Sequence, residues 1–238
     1  CLQTAEDVTA HIQQTCELLR SDANQVFEVR AFDCRTAWNN RTCDYSGFYD
    51  DVATLAKDVM HIESQRPTAV YITLNPVKRD CLCWADNVFK PSRQGHSATD
   101  AHILKRSWVL IDVDPVRLAN IMATVEEIEY ARDVVRSVRD YLHAEHNWTP
   151  DMETFSGNGF HLLYRADMPN NPTATARLQA LLNDLAKRCD DPRAKVDVTV
   201  YNASRITKLY GTMVRKGDAV AKLGRLHRRS FRLERGVL

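Results

Sequence analysis

Asp112 and Asp114 stand one residue apart at the end of an apolar run, Ser107-Trp-Val-Leu-Ile-Asp-Val-Asp114. In an extended chain side chains alternate, so both carboxylates share one face while Val109, Ile111 and Val113 take the other. Two like charges at that spacing repel, and one takes up a proton unless a cation lies between them. Oxygen donors suit a hard divalent ion, Mg²⁺ or Mn²⁺. The alternative is a strand that runs into an Asp-Pro turn at Pro115. A third carboxylate, Asp197, repeats the pattern over residues 195–201. There Val196, Val198 and Val200 share one face, and Asp197 and Thr199 the other.

A second group of residues could handle phosphate. Ser156-Gly-Asn-Gly-Phe-His161 reads as a tight turn between two strands over residues 152–167, and its glycines let backbone approach a ligand closely. His161 sits on the strand that leaves the turn; a lone strand histidine is otherwise a structural residue. Further on, Arg205, Lys208, Gly211, Thr212, Arg215, Lys216 and Gly217 crowd into a short span. Glycines beside Lys and Arg can hold phosphate through backbone N–H groups and charge. The Gly-x-x-x-x-Gly-Lys-Ser/Thr loop is absent.

The elements that must position these groups follow from periodicity and caps. Helices are expected over residues 4–20, 50–63, 124–145 and 171–188, each with apolar residues at helical spacing. Strands are expected over residues 25–33 and 68–74, the latter stopped by Asn75-Pro76. Residues 38–47 read as polar and turn-rich. Residues 77–99 interleave Lys78, Arg79, Trp84, Phe89, Lys90, Arg93 and His96, which suits either an irregular loop or a single-stranded nucleic-acid surface.

Composition narrows the class. A chain of 238 residues with 44% hydrophobic and 26% charged residues can bury a sizeable core, and no run is long enough to span a membrane. Seven cysteines, an odd number without small-scaffold spacing, point to a reducing, cytoplasmic setting. A zinc site from Cys43, Cys81, Cys83 and His96 stands against plain free thiols, and Cys81-Leu-Cys83 lacks the usual two-residue gap. Residues 194–238 carry 11 Lys and Arg against 3 Asp and Glu, although the whole chain is only +1. That asymmetry suits a polyanionic partner or a solvated basic tail. Because residue 1 is Cys, the chain is expected to be a piece of a longer protein whose other domains are missing.

Taken in order, Leu-Ile-Asp112-Val-Asp114-Pro, then Ser156-Gly-Asn-Gly-Phe-His161-Leu-Leu-Tyr164, then Val-Asp197, and then Asn202-Ala-Ser-Arg205-Ile-Thr-Lys208-Leu-Tyr-Gly211-Thr212 with Arg215-Lys216-Gly217 resemble the archaeo-eukaryotic primase superfamily. They are similar to the primase-polymerase (prim-pol) domains of bacteria, phages, mobile elements and CRISPR-associated proteins. Tyr71-Ile-Thr-Leu-Asn75-Pro76 extends the likeness to about residues 68–217.

The resemblance implies an α+β fold, with an N-terminal α/β module packed on an RRM-like module and the active site between them. On that expectation residues 1–98 form mostly the first module, 99–217 mostly the second, and 218–238 a basic C-terminal segment. It implies a DNA-directed nucleotidyltransferase, a primase or polymerase, that joins NTP or dNTP to a 3′-hydroxyl on a DNA template or primer using two Mg²⁺ or Mn²⁺ ions. Asp112, Asp114 and Asp197 would be the catalytic metal ligands. Ser156, His161, Arg205 and Lys208 would bind the nucleotide, and Asn75, Arg215 and Lys216 are further phosphate or nucleic-acid contacts. The competing reading is a non-catalytic replication module of the same fold that binds single-stranded nucleic acid.

Overall fold

The computed structural model describes residues 4–35, 41–234 and 236–238. Helix α1 (Ala5–Leu19) leads into strands β1 (Phe27–Arg35) and β2 (Thr42–Tyr49), followed by α2 (Val52–Glu63), β3 (Ala69–Thr73) and β4 (Lys90–Pro91). Then come β5 (Lys105–Pro115), α3 (Val125–His146), β6 (Met152–Phe155), β7 (Phe160–Pro169) and α4 (Pro172–Cys189). Strands β8 (Ala194–Val196), β9 (Ile206–Lys208), β10 (Met213–Val214), β11 (Arg228–Arg229) and β12 (Phe231–Arg232) complete the order.

Caps explain where the helices begin. Thr4 with Asp7, and Thr124 with Glu127, form reciprocal capping boxes, while Asp51 and Asn171 accept from the first free N–H groups of their helices. The apolar stripes of these helices then close over two antiparallel sheets. One sheet runs β4-β2-β1-β3-β9 and the other β12-β6-β7-β5-β8. Phe27, Val29 and Ala31 of β1 join Val8, Ile12, Leu55 and Val59 in the core, so α1 and α2 back the first sheet. Helices α3 and α4 pack against strands of the second, where Val109, Ile111 and Val113 of β5 are buried.

Several expectations shift. Residues 42–47, expected as turn, belong to β2: Tyr45, Ser46 and Gly47 pair with Ala31, Arg30 and Val29 of β1, and long-range pairing overrides the local polar composition. Residues 38–40 of that stretch lie outside the described residues. Residues 77–99 are irregular apart from a 3₁₀ turn and β4. The strand expected over 195–201 ends at Val196, because Asp197 accepts from the Thr199 N–H and hydroxyl at 2.8 and 2.7 Å and turns the chain. The first sheet takes four strands from before residue 98 and its edge strand β9 from residues 206–208, while every strand of the second sheet follows residue 98.

The basic C-terminal stretch folds back onto the body. Arg225 pairs with Glu127 at 2.8 Å, Arg228 donates to the Ala123 carbonyl, and β12 pairs with β6. Among the described residues, no helix is long and apolar enough to cross a membrane.

Candidate active site

Register builds the site. Asp112 faces His161 directly across β5 and β7, and His161 faces Thr154 on β6. On the other side the Asp197 N–H donates to the Asp112 carbonyl at 2.8 Å, one step beyond the Val113–Val196 pair. Thr154, His161, Asp112 and Asp197 therefore form one row across the second sheet, with Asp114 two residues along β5 on the same face. Gly159 lets the turn lie against β5: a Cβ there would meet the Val113 carbonyl at 2.1 Å and Asp114 Oδ1 at 2.6 Å.

The row opens into a cavity of about 520 Å³ between the sheets. Asp112, Asp114, Ser156, His161, Asp197, Arg205, Lys208 and Lys216 line it, joined by Phe32 and Tyr71 from the first sheet. Eight of the ten expected site residues thus come together. The other two lie off the cavity wall. Asn75 is buried and spends its amide on backbone, accepting from the Ser107 and Trp108 N–H groups and donating to the Ala203 carbonyl at 2.8, 3.2 and 2.8 Å. Arg215 pairs with Glu63 at 3.1 Å and donates to the Pro67 carbonyl.

Charge is unevenly held in this cavity. Burial works to raise the Asp112 carboxyl, but His161, Lys216 and Lys208 outweigh it and keep Asp112 below the ordinary carboxylate range. Burial and the Asp112 charge push Asp114 upward, against Arg117 at 3.8 Å. Lys208 donates to the Tyr71 hydroxyl; burial, reinforced by Lys216, drives its ammonium well below the usual lysine range despite the pull of Asp114 and Asp112. Burial and the same two carboxylates push the Tyr71 phenol up to about 12.

Two observations suit a divalent cation here. Asp112 Oδ1 is buried with no partner in hydrogen-bonding geometry, although His161 Nε2 lies 3.3 Å away. Asp114, its like-charged neighbour, presents a side chain that is 41% exposed to the cavity mouth. Among the described residues, no three Asp, Glu, His or Cys side chains close into a complete ligand set. Cys43, Cys81, Cys83 and His96 likewise do not gather into a zinc site among the described residues. Cys81 is buried, Cys83 is exposed, and both thiols are free.

The structure adds residues that sequence reasoning passed over. Tyr210 and Thr207 place their hydroxyls 2.7 and 3.1 Å from His161 Nδ1 and 3.0 Å from each other. With the Tyr210 O–H donating to Nδ1, Nε2 carries the proton that faces Asp112. Ser156 Oγ accepts from the Gly159 N–H at 3.0 Å, and Asn158 Oδ1 accepts from the Ala123 N–H at 2.8 Å, fixing the turn to the approach of α3. The Lys208-Leu-Tyr210 sequence was visible, but nothing local said that Tyr210 would reach another sheet.

No protein-family profile matches the chain, and no curated protein sequence matches it. Among solved structures it is similar to the polymerase domain of Ligase D from Mycobacterium tuberculosis in complex with DNA. That similarity has a TM-score of 0.48 and 17% identity, over 94% of this chain and 80% of that one.

Proposed function

We propose that the cavity between the sheets is a nucleotidyl-transfer site that joins NTP or dNTP to the 3′-hydroxyl of a DNA primer on a template, with release of pyrophosphate. The observation that carries this reading is the composition of one wall-to-wall cavity. Three carboxylates, Asp112, Asp114 and Asp197, and three basic residues, Arg205, Lys208 and Lys216, line one cavity of about 520 Å³. Carboxylates alone would suit many cation sites. Carboxylates and basic residues in one cavity suit a ligand that is itself a polyanion held with divalent ions, which is what a nucleoside triphosphate requires.

Asp112, Asp114 and Asp197 would hold two Mg²⁺ or Mn²⁺ ions, with triphosphate oxygens and water completing their coordination. Such ions acidify an attacking hydroxyl and offset charge on departing pyrophosphate. The chain's own residues do the rest. Lys216 and Arg205 neutralise phosphate charge. Arg205 is held by donation to the Thr199 carbonyl at 2.7 Å, so its guanidinium is oriented before ligand arrives. Burial holds the Lys208 ammonium well below the usual lysine range, and an incoming phosphate would favour its charged form. His161 presents Nε2–H beside Asp112 and can donate to a phosphate oxygen, while the Ser156 turn shapes the floor.

The test is extension of a labelled DNA primer-template with Mg²⁺ or Mn²⁺ and NTPs or dNTPs in separate tubes, beside Asp112→Asn. Extension by the wild type that disappears in Asp112→Asn is the expected result. Equal extension by both, or none by a folded wild type, would overturn the reading.

A further inference from the structure

A row of residues crosses the whole first sheet. Lys90 on β4 pairs with Ser46 on β2, Ser46 with Arg30 on β1, Arg30 with Tyr71 on β3, and Tyr71 with Lys208 on β9. Directly paired residues share a face, so these five side chains form one line on one side of the sheet. Four inter-strand steps of about 4.8 Å make the line about 19 Å long. One end, Tyr71 and Lys208, lies in the cavity described above. The other end, Ser46 and Lys90, lies in a separate cavity of about 360 Å³.

That second cavity has aromatic and basic walls. Trp84 and His96 stack with rings 5.5 Å apart and only 7° from parallel. Phe48 and His102 meet Trp84 edge-on at 5.4 and 5.3 Å, which fixes the indole from two sides. Lys90 Nζ lies 3.3 Å from the Trp84 carbonyl, and Arg93 is exposed with no side-chain hydrogen bond or ion pair among the described residues. Between the two cavities the row is covered: Arg30 pairs with the buried Glu28 carboxylate at 2.7 Å and donates to the Ala98 carbonyl at 3.1 Å, while Glu28 accepts the Ser46 hydroxyl and the Ala98 N–H at 3.1 and 3.0 Å. The segment that carries Arg93 and His96 is thereby tied along the same line.

The geometry points to a second binding site: the Trp84–His96 cavity takes an unpaired nucleobase of a single-stranded polynucleotide, with Lys90 and Arg93 beside it for the adjoining phosphate. Flat π surfaces accept any base by stacking, and a cation beside them holds the adjoining phosphate. A fixed indole with a parallel partner loses little freedom on binding. The inference rests on the proposed nucleotidyl-transfer reading for the polynucleotide's role, but the base site is measurable by itself.

The probe is a fluorescein-labelled 12-nucleotide oligothymidylate, titrated by anisotropy against the full chain. Wild type, His96→Ala/Arg93→Ala, His96→Phe, and Lys187→Ala on the exposed face of α4 are compared after their thermal unfolding is shown to match. The double variant is expected to bind about tenfold more weakly, whereas His96→Phe, which keeps a flat ring, and Lys187→Ala stay within about twofold of wild type. Unchanged binding by the double variant, or no binding by the wild type, overturns the base site. Primer extension by the wild type is scored separately. Extension with unchanged oligonucleotide binding in the double variant removes the base site alone. Lost binding without extension removes the nucleotidyl-transfer reading and leaves the base site standing.

Discussion

Asp112 and His161 are cross-strand partners whose carboxylate Oδ1 and imidazole Nε2 lie 3.3 Å apart. The register of β5 on β7 sets that contact, because Leu110 faces Leu163 and Trp108 faces Arg165 along the same line. A one-residue slip would turn every one of these side chains to the opposite face. Apolar and cation–π pairs below the site, with Arg165 4.6 Å from the Trp108 ring, therefore hold the chemistry above it in place.

Both acidic residues are predicted to be necessary for activity, but they differ in what they do to stability. Asp112→Asn and Asp114→Asn are each expected to abolish nucleotide addition, lowering kcat by at least about 100-fold. Without metal, the Asp114→Asn midpoint should stay level or rise, since like-charge repulsion is relieved, whereas the Asp112→Asn midpoint should fall, since His161 and Lys216 favour the Asp112 charge. Differential scanning fluorimetry beside primer extension checks both halves. A midpoint several degrees lower in Asp114→Asn would mean that its charge stabilises the fold.

Tyr210→Phe removes the hydroxyl that orients His161 and leaves Thr207 as the remaining partner. A loss of about 1 kcal/mol in urea unfolding is expected from one buried hydrogen bond, with a fall in nucleotide addition. Wild-type activity in this variant would show that the imidazole needs no help from Tyr210. Thr207→Val is the companion measurement and should have a smaller effect, since its contact is the longer one.

Gly159→Ala places a methyl group into the Val113 carbonyl and the Asp114 carboxylate. A destabilisation of about 2 kcal/mol or more is expected, with loss of activity even where the protein still folds. Circular dichroism melts and extension assays on the same preparation separate the two. A neutral outcome would place the turn farther from β5 than the structure has it.

His11 gives the protein a pH dependence away from the cavity. Its burial, with Arg232 and Arg229 nearby, lowers its pKa to about 4, and the Arg232 N–H is directed at Nε2 at 3.4 Å. The unfolded chain protonates near the ordinary 6.5, so below that pH the unfolded state binds the extra proton. Stability from this group is complete above about pH 6.5 and falls as pH drops toward 4, by up to about 3 kcal/mol. Urea unfolding at pH 7.5 and 5.0 should show a drop in wild type that is smaller in His11→Gln. An equal drop in both would assign the pH sensitivity elsewhere.

Local signals were legible wherever the physics is local. Thr4, Thr124 and Asn171 announce their helices through caps, and the alternation from Trp108 to Asp114 gives a strand with its carboxylates on one face. Pairing at long range was not legible. Ser46 and Gly47 look like turn residues until β1 lies beside them. Asp197 looks like a strand residue until its own side chain captures the Thr199 N–H. Arg215 and Asn75 carry the right chemistry for phosphate or base, but Glu63 and three backbone groups use it up. A basic stretch near the C-terminus read as solvated or waiting for a polyanion; Arg225, Arg228 and Arg229 are turned inward to Glu127 and to carbonyls instead.

The strand β9 comes late in the chain but closes the edge of the first sheet against β3. During synthesis from the N-terminus, Tyr71 to Thr73 would leave the ribosome with an open edge. It would stay open until residues 206–208 had followed, after the whole of β5 to β8. Exposed edges of that kind invite pairing with other chains. The order of emergence therefore places the greatest hazard in the interval before Lys208 arrives. The residue that ends that interval is also the lysine that lines the cavity with the carboxylates, so a nascent chain cannot complete its first sheet without also bringing Lys208 to the cavity.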